Sequence, residues 1–528
     1  MPKCLAVVVL AVLPSVATGD GPESRPVEVP APARAAAAGI PWEQWSDHAF
    51  ERARREGRFV LLDLGAVWCH WCHVMEETTY QDPAVVDLIR ARYVPVRVDQ
   101  DARPDLASRY EDYGWPATIV FDAQGLELVK FRGYVAPARM AALLQGVIDD
   151  PTPGPSVRPR PALAATDAAG LGMELASELR DLLSSRYDRE HAGWGFIHKY
   201  LDWDSVEYCL VRASEGDAEA ARMARETLDA QTRLIDPVWG GVYQYSDGGT
   251  WESPHFEKIM SMQAENLRVY AQAYVLWRDP RYLRAARDIH RYLGTLLRSP
   301  EGAFYASQDA DLVPGEHAAA YFALGDAERR RIGLPRVDKR LFARENGWAT
   351  AGLVALYAAT GDEAVLAEAL QVARWILDNR SLPGGGFGHD EHDPAGPFLA
   401  DTLAAGRAFL ALYGATGDQA WLGRAEAAAA FIASRFRREG GPGFVTAEAA
   451  GPGASPVVQR EENVGMARFA ALLARHTGRD AHRELAEQAM RFLAMPEVAR
   501  RFNTGGVLLA DRELRARPDG PSAGPVCR

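Results

Sequence analysis

The sequence predicts a multidomain chain: an α/β domain on a central sheet, followed by an all-α ring of six helical hairpins, an (α/α)6 toroid. Three observations predict it. Short apolar strands alternate with amphipathic helices from Phe59 to Ile148. Beyond Pro151 to Pro161, which holds five prolines in eleven residues, two kinds of turn alternate to the end of the chain. The length of 528 residues exceeds what one hydrophobic core supports.

Residues 1–19 read as a secretory signal. Lys3 is the positive residue, Cys4 to Leu13 is apolar, and Ser15-Val16-Ala17 offers small residues for cleavage. The run is too short for a membrane span, so no membrane association is expected once the signal leaves. Residues 20–38 are Pro/Ala-rich and read as a linker. Export to the periplasm or the extracellular space is the expectation. A net charge of −12 without a basic run argues against a nucleic-acid partner. Five cysteines are too few for a disulfide scaffold.

The first domain is expected over 39–150. Trp42 to Arg55 reads as a helix, Phe59 to Leu64 as a buried strand, and His73 to Ala91 as helical. Between the last two lies Cys69-His70-Trp71-Cys72, a C-x-x-C pair on a strand-to-helix turn. A helix N-terminus favours the thiolate of the first cysteine, the species that attacks a disulfide. With His73 the string also matches a c-type haem attachment site, and a structural disulfide or metal pair is the third reading. Context favours the dithiol. Asp63 lies six residues before Cys69, Trp68 directly precedes it, and Gly114-Trp115-Pro116 precedes the apolar run Ile119 to Phe121. This set resembles thioredoxins: a buried acid under the pair, a Trp before it, and a cis-proline loop opposite. The resemblance implies Cys69 as attacking thiolate, Cys72 as resolving thiol, Asp63 as proton acceptor and Pro116 as the cis-proline. Cys69 is expected to be the more exposed sulfur. Trp68, Trp71 and Trp115 are candidates for substrate contact. Neither a cofactor nor a metal is expected.

Residues 151–165 form a Pro-rich linker, 166–515 the toroid and 516–528 a tail. Gly-aromatic loops recur at Gly193-Trp194, Gly240 to Tyr243, Gly302 to Tyr305, Gly384 to Phe387, Gly440 to Phe444 and Gly505 to Val507. Tight turns such as Thr360-Gly361-Asp362 and Thr416-Gly417-Asp418 alternate with them. In these, Gly closes one helix in the left-handed conformation and Asp caps the next. The long loops share one rim and carry aromatics and carboxylates, the usual lining of a sugar site. Trp251, His255 and Glu257 are the candidates there, expected to point into the central cavity. His389-Asp390-Glu391-His392 has metal-ligand residue types but also reads as a surface loop.

As a whole the chain resembles the YyaL/spermatogenesis-associated protein 20-like proteins. The match rests on Cys69 to Glu76, Val98-Asp99, Arg103-Pro104-Asp105, Gly114-Trp115-Pro116, Gly195-Phe196 and Pro254-His255-Phe256-Glu257-Lys258. The resemblance implies a thioredoxin-like domain before a six-hairpin, glycosidase-like toroid. Ser261-Met262-Gln263 and Glu345-Asn346-Gly347-Trp348 depart from the family's pattern. Two functions are expected. The first is an exported thiol–disulfide oxidoreductase acting on a protein disulfide, whose toroid binds a glycan or glycoprotein. The alternative is a carbohydrate-active enzyme, an epimerase or glycoside hydrolase, with an accessory thioredoxin-like module.

Overall fold

The computed structural model describes residues 39–157, 168–393, 395–438, 440–448 and 455–516. The expected signal (1–19), the linker 20–38, much of the Pro-rich linker and the tail beyond residue 516 lie outside the described residues. The described residues from Ile40 onward form one compact unit. No helix among the described residues is long and apolar enough to cross a membrane.

The α/β part runs α1 (Asp47–Glu56), β1 (Phe59–Gly65), α2 (His70–Glu77), α3 (Pro83–Arg92), β2 (Tyr93–Asp99), α4 (Pro104–Tyr110), β3 (Ala117–Phe121), β4 (Glu127–Arg132) and α5 (Pro137–Asp149). The sheet order is β2-β1-β3-β4, with β1 parallel to β2 and antiparallel to β3. Alternation along β1 divides two cores. Val60, Leu62 and Leu64 pack with Phe50 of α1 and Leu106 of α4. Leu61 faces Met75, Val85 and Leu144 of α2, α3 and α5. The expected Trp42 to Arg55 helix begins only at Asp47. The expected continuous helix after the cysteines breaks between Glu77 and Pro83, where Asp82 caps α3 through the Ala84 N–H.

The toroid helices are α6 (Met173–Ser185), α7 (Trp203–Ser214), α8 (Ala218–Gln231), α9 (Met260–Trp277), α10 (Pro280–Tyr292), α11 (Ala319–Phe322), α12 (Asp326–Ile332), α13 (Ala343–Thr360), α14 (Glu363–Arg380), α15 (Leu399–Thr416), α16 (Gln419–Arg435), α17 (Arg460–Thr477), α18 (Asp480–Leu493), α19 (Pro496–Ala499) and α20 (Gly505–Arg515). Five hairpins, α7/α8, α9/α10, α13/α14, α15/α16 and α17/α18, carry the tight turns. The sixth pairs α20 with α6, the last and first helices of the ring. Inner helices α7, α9, α13, α15, α17 and α20 touch in that order, and α20 returns to α7, closing the ring.

The tight turns behave as their residues require. Gly361, Gly417 and Gly478 end α13, α15 and α17 at φ 71°, 71° and 66°. Asp217, Asp279, Asp362 and Asp418 each cap the following helix. The Gly-aromatic loops are pinned by amides of the inner helices. Gln263 bonds the Val242 backbone at 2.7 and 2.8 Å, Asn346 that of Phe304 at 2.7 and 3.1 Å, and Asn463 that of Phe444 at 2.8 and 3.0 Å. Gln263, which lies in a departure from the family pattern, thus has structural work, as does Asn346. Gly505 to Val507 is not a loop. It begins α20, where a Cβ on Gly505 would lie 2.5 Å from Ser205 Cα.

Small strands β5 (Tyr245–Ser246) and β6 (Pro254–His255) pair, as do β7 (Lys258–Ile259), β8 (Ser307–Gln308) and β9 (Val337–Asp338). Pro254 to Lys258 therefore precedes α9 as extended chain.

Candidate functional site

Cys69 caps the N-terminus of α2, and its Sγ accepts the Cys72 N–H at 3.2 Å. The two cysteines are joined as a disulfide. Gly65 packs closely behind them: a Cβ there would lie 3.3 Å from Cys72 Sγ, tighter than ordinary contact. The Trp115–Pro116 bond is cis, as expected. The expected order of exposure is reversed. Cys69 is 4 % exposed and packs with Trp68, Trp115 and Ile259 of the toroid, whereas Cys72 is half-buried and Trp71 exposed. The toroid rim covers the first sulfur, which no local pattern in the sequence encodes.

Asp63 is buried and ion-paired to Arg97 Nε at 2.9 Å. Burial pushes its carboxyl up, against the pull of Arg97. Trp68 Nε1 donates to Asp101 Oδ2 at 2.7 Å. Burial, then the neighbouring Asp99, raises Asp101 to about 7.

Toroid side chains meet this surface directly. The Ala310 N–H donates to Trp68 O at 3.3 Å. Asp311 holds both histidines of the motif, with Oδ1 2.7 Å from His70 Nδ1 and Oδ2 3.1 Å from His73 Nδ1. His73 Nε2 lies 3.2 Å from Val67 O and 3.6 Å from Asp309 Oδ2. Glu257 Oε1 accepts the His70 N–H at 3.3 Å. Farther along, Arg340 bonds Asp99 at 2.6 Å, and His389 Nε2 meets Asp101 O at 2.6 Å. His389 is thus buried at this contact, on Asp401 and Phe342, rather than in a surface loop.

His73, Asp309 and Asp311 place ligand-type atoms within 4.8 Å of one another. Both His73 ring nitrogens already face oxygen acceptors, so the cluster reads as an imidazolium held by carboxylates. The same engagement takes His73 away from the axial role it would need beside a haem. Burial lowers the His73 pKa, but Asp311 and Asp309 outweigh it and the net direction is up. Burial raises Asp311, but His70 and His73 bring it down to about 2. The signs separate. His73 stabilises the fold below its ordinary pKa and loses that contribution as pH rises through the raised value. Asp311 contributes above its ordinary value and loses that only near pH 2. His73→Gln is therefore expected to flatten the fall in melting temperature between about pH 6 and 8. An unchanged slope in a calorimetric pH series would contradict this.

The toroid encloses a cavity of about 440 Å³, lined among others by Trp203, Trp348, Glu265, Arg268, Arg407 and Glu462. Ser108 of α4 reaches it and lies 3.4 Å from Glu462 Oε1. Burial, then Glu111, raises Glu462 to about 8, and burial raises Asp204 to about 7. Arg268 and Arg468 both bind the buried Glu207, at 2.8 and 2.7 Å. Sequence reasoning missed these residues, although Arg268 in α9, Arg407 in α15 and Arg468 in α17, each set between small or apolar neighbours, were a usable signal.

The expected toroid candidates do not line this cavity. His255 stacks on Tyr245 with centroids 4.2 Å apart and meets Asp247 Oδ2 at 2.7 Å. Trp251 is buried and donates to His191 O. Glu257 faces α2, as described. Lys258 pairs with Asp236 at 2.7 Å, and Arg329 with the same carboxylate at 2.8 Å.

An α/β domain with a capped cysteine pair, followed by a closed ring of helical hairpins, defines the class: a thioredoxin-like domain joined to an (α/α)6 toroid. Comparison with known proteins agrees for the first domain. The family model described as Thioredox_DsbH, protein of unknown function, DUF255, matches residues 31–144. Spermatogenesis-associated protein 20 of Homo sapiens is 28 % identical over 318 residues, covering 52 % of this chain and 39 % of that protein. The chain thus spans well under half the length of the curated relatives it matches. Thiol:disulfide interchange protein DsbD of Ralstonia nicotianae is 40 % identical over 85 residues, 15 % of this chain and 14 % of its own. Among solved structures, cellobiose 2-epimerase from Bacillus thermoamylovorans aligns with TM-score 0.49 at 11 % identity, covering 61 % of this chain and 87 % of that one. The resemblance to the spermatogenesis-associated protein 20-like proteins, read first from the motifs, is borne out.

Proposed function

We propose that the chain is an exported thiol–disulfide oxidoreductase using the Cys69–Cys72 pair, with a toroid that binds a glycan or glycoprotein. The capped pair carries the reading: Cys69 Sγ takes the Cys72 N–H at the first turn of α2. An N–H donor and a helix N-terminus both favour a thiolate on that sulfur once the disulfide opens. The likeness to a thiol:disulfide interchange protein supports the same chemistry. A protein disulfide is the proposed substrate, approaching from the Trp71 side, where the surface is exposed. Disulfide-dependent turnover by the full chain, coupled to a dithiol reductant, tests the activity. Fractionation of expressing cells tests export.

One observation favours activity in the toroid as a second reading. The cavity brings Trp203 and Trp348 together with Asp204 and Glu462, two acids whose carboxyls titrate near neutral pH. Stacking surfaces and raised carboxyls suit sugar binding and acid–base chemistry. Calorimetry with neutral mono- and disaccharides is expected to show binding that Trp348→Ala reduces at least about tenfold, about 1.4 kcal/mol. Binding unchanged by Trp348→Ala would remove the cavity from this role.

A further inference from the structure

We propose that Glu257, supplied by the toroid, holds a proton of the Cys69–Cys72 pair whenever the disulfide is reduced. The inference rests on the dithiol reading above and adds to it the group that manages the proton.

Glu257 is 3 % exposed and lies between β6 and β7. Its Oε1 accepts the N–H of His70, the first residue of α2, at 3.3 Å. Cys69 Sγ accepts the Cys72 N–H at 3.2 Å from the same turn. Carboxylate and sulfur therefore share one helix N-terminus, inside the contact that covers Cys69. Glu257 Oε2 is buried and has no hydrogen-bond partner. A buried carboxylate oxygen without a donor is costly, and a proton placed on it removes the deficit. Asp63, the acid to which the sequence points, is already committed to Arg97.

The groups facing Glu257 are His70 of α2, Asp311 beyond β8 and Tyr245 of β5. Burial is the largest influence and brings its carboxyl to about 7, where a proton is exchanged easily at neutral pH. Two acids at one buried turn do not both ionise freely, so Cys69 and Glu257 titrate as a coupled pair.

The chemistry balances with a dithiol as reductant. The reductant's two sulfurs join, its two electrons break the Cys69–Cys72 bond, and its two protons pass to the protein. One proton stays on Cys72, and the other is shared between Cys69 Sγ and the Glu257 carboxylate. Reoxidation by a substrate disulfide returns both protons to the two substrate sulfurs.

The test uses the full chain, reduced with dithiothreitol, with thiolate absorbance at about 240 nm followed against pH. In Glu257→Gln the amide cannot ionise, so the Cys69 thiolate is expected to form about one pH unit lower or more. Glu257→Asp is expected to restore the wild-type profile. A purely structural Glu257 would lower the melting temperature and leave the titration in place. Coincident titrations of wild type and Glu257→Gln overturn the proposal. Should Glu257→Gln fail to fold, the wild type decides: two coupled steps support the proposal and a single step overturns it. A pair that dithiothreitol cannot reduce overturns the dithiol reading itself. Reduction with an unmoved titration overturns only the role of Glu257.

Discussion

Cys69→Ser is expected to abolish disulfide exchange, while Cys72→Ser accumulates mixed disulfides. The asymmetry follows from the first turn of α2. Cys69 is the N-cap and receives the Cys72 N–H, so its thiolate is favoured. Attack by Cys69 on a substrate disulfide joins the two sulfurs and releases the other substrate thiolate. Cys72 then attacks Cys69, and the second substrate sulfur leaves with the electron pair. Without Cys72 the mixed disulfide persists; without Cys69 it never forms. The toroid rim lies over Cys69, so trapped adducts are expected to be fewer with bulky partners than with small disulfides. Denaturing gels and mass spectrometry of both variants read this directly. Equal trapping in the two variants would contradict the assignment.

The second large effect concerns stability. Asp236, Lys258 and Arg329 form a triad whose side chains are all fully buried. Lys258 also donates to Gly240 O at 3.1 Å and lies over the Tyr292 ring at 4.5 Å. Burial brings Lys258 down to about 8, against the pull of Asp236. Asp236→Asn leaves two cations without their anion in the packed interior, a change expected to cost about 3–5 kcal/mol. The melting temperature should fall by several degrees with the oxidation state of Cys69–Cys72 unchanged. A loss below about 1 kcal/mol, the range of an exposed pair, would contradict the triad's role.

Particular residues show what the sequence made legible. The cysteine pair, cis Pro116 and the Gly-Asp tight turns are local, since each depends on a few neighbouring residues and a known backbone preference. The ring was legible because those turns recur. Three features were not. Glu257 meets His70 across 187 positions, and Asp311 meets the same histidine across 241, contacts created only by docking of the toroid rim on α2. That docking also buries Cys69, which the helix position alone would leave exposed. His255 and Trp251 looked like ligand groups because their types suit sugar, yet Asp247, Tyr245 and the His191 carbonyl satisfy them. Gly505 looked like a loop residue because glycine serves both turns and close helix contacts, and here it serves the contact with Ser205.

Cys69–Cys72 is expected to cycle between disulfide and dithiol. The most direct test is equilibration of the full chain in thiol redox buffers, followed by acid quenching, alkylation and mass spectrometry of the peptide that contains both cysteines. Catalytic pairs have midpoints between about −270 and −120 mV, whereas structural disulfides fall below about −300 mV. A thiolate favoured by the α2 N-terminus and the Cys72 N–H stabilises the reduced form, so a midpoint within the catalytic range is the expected result. A pair that stays oxidised below about −300 mV would mark a structural disulfide and contradict the account.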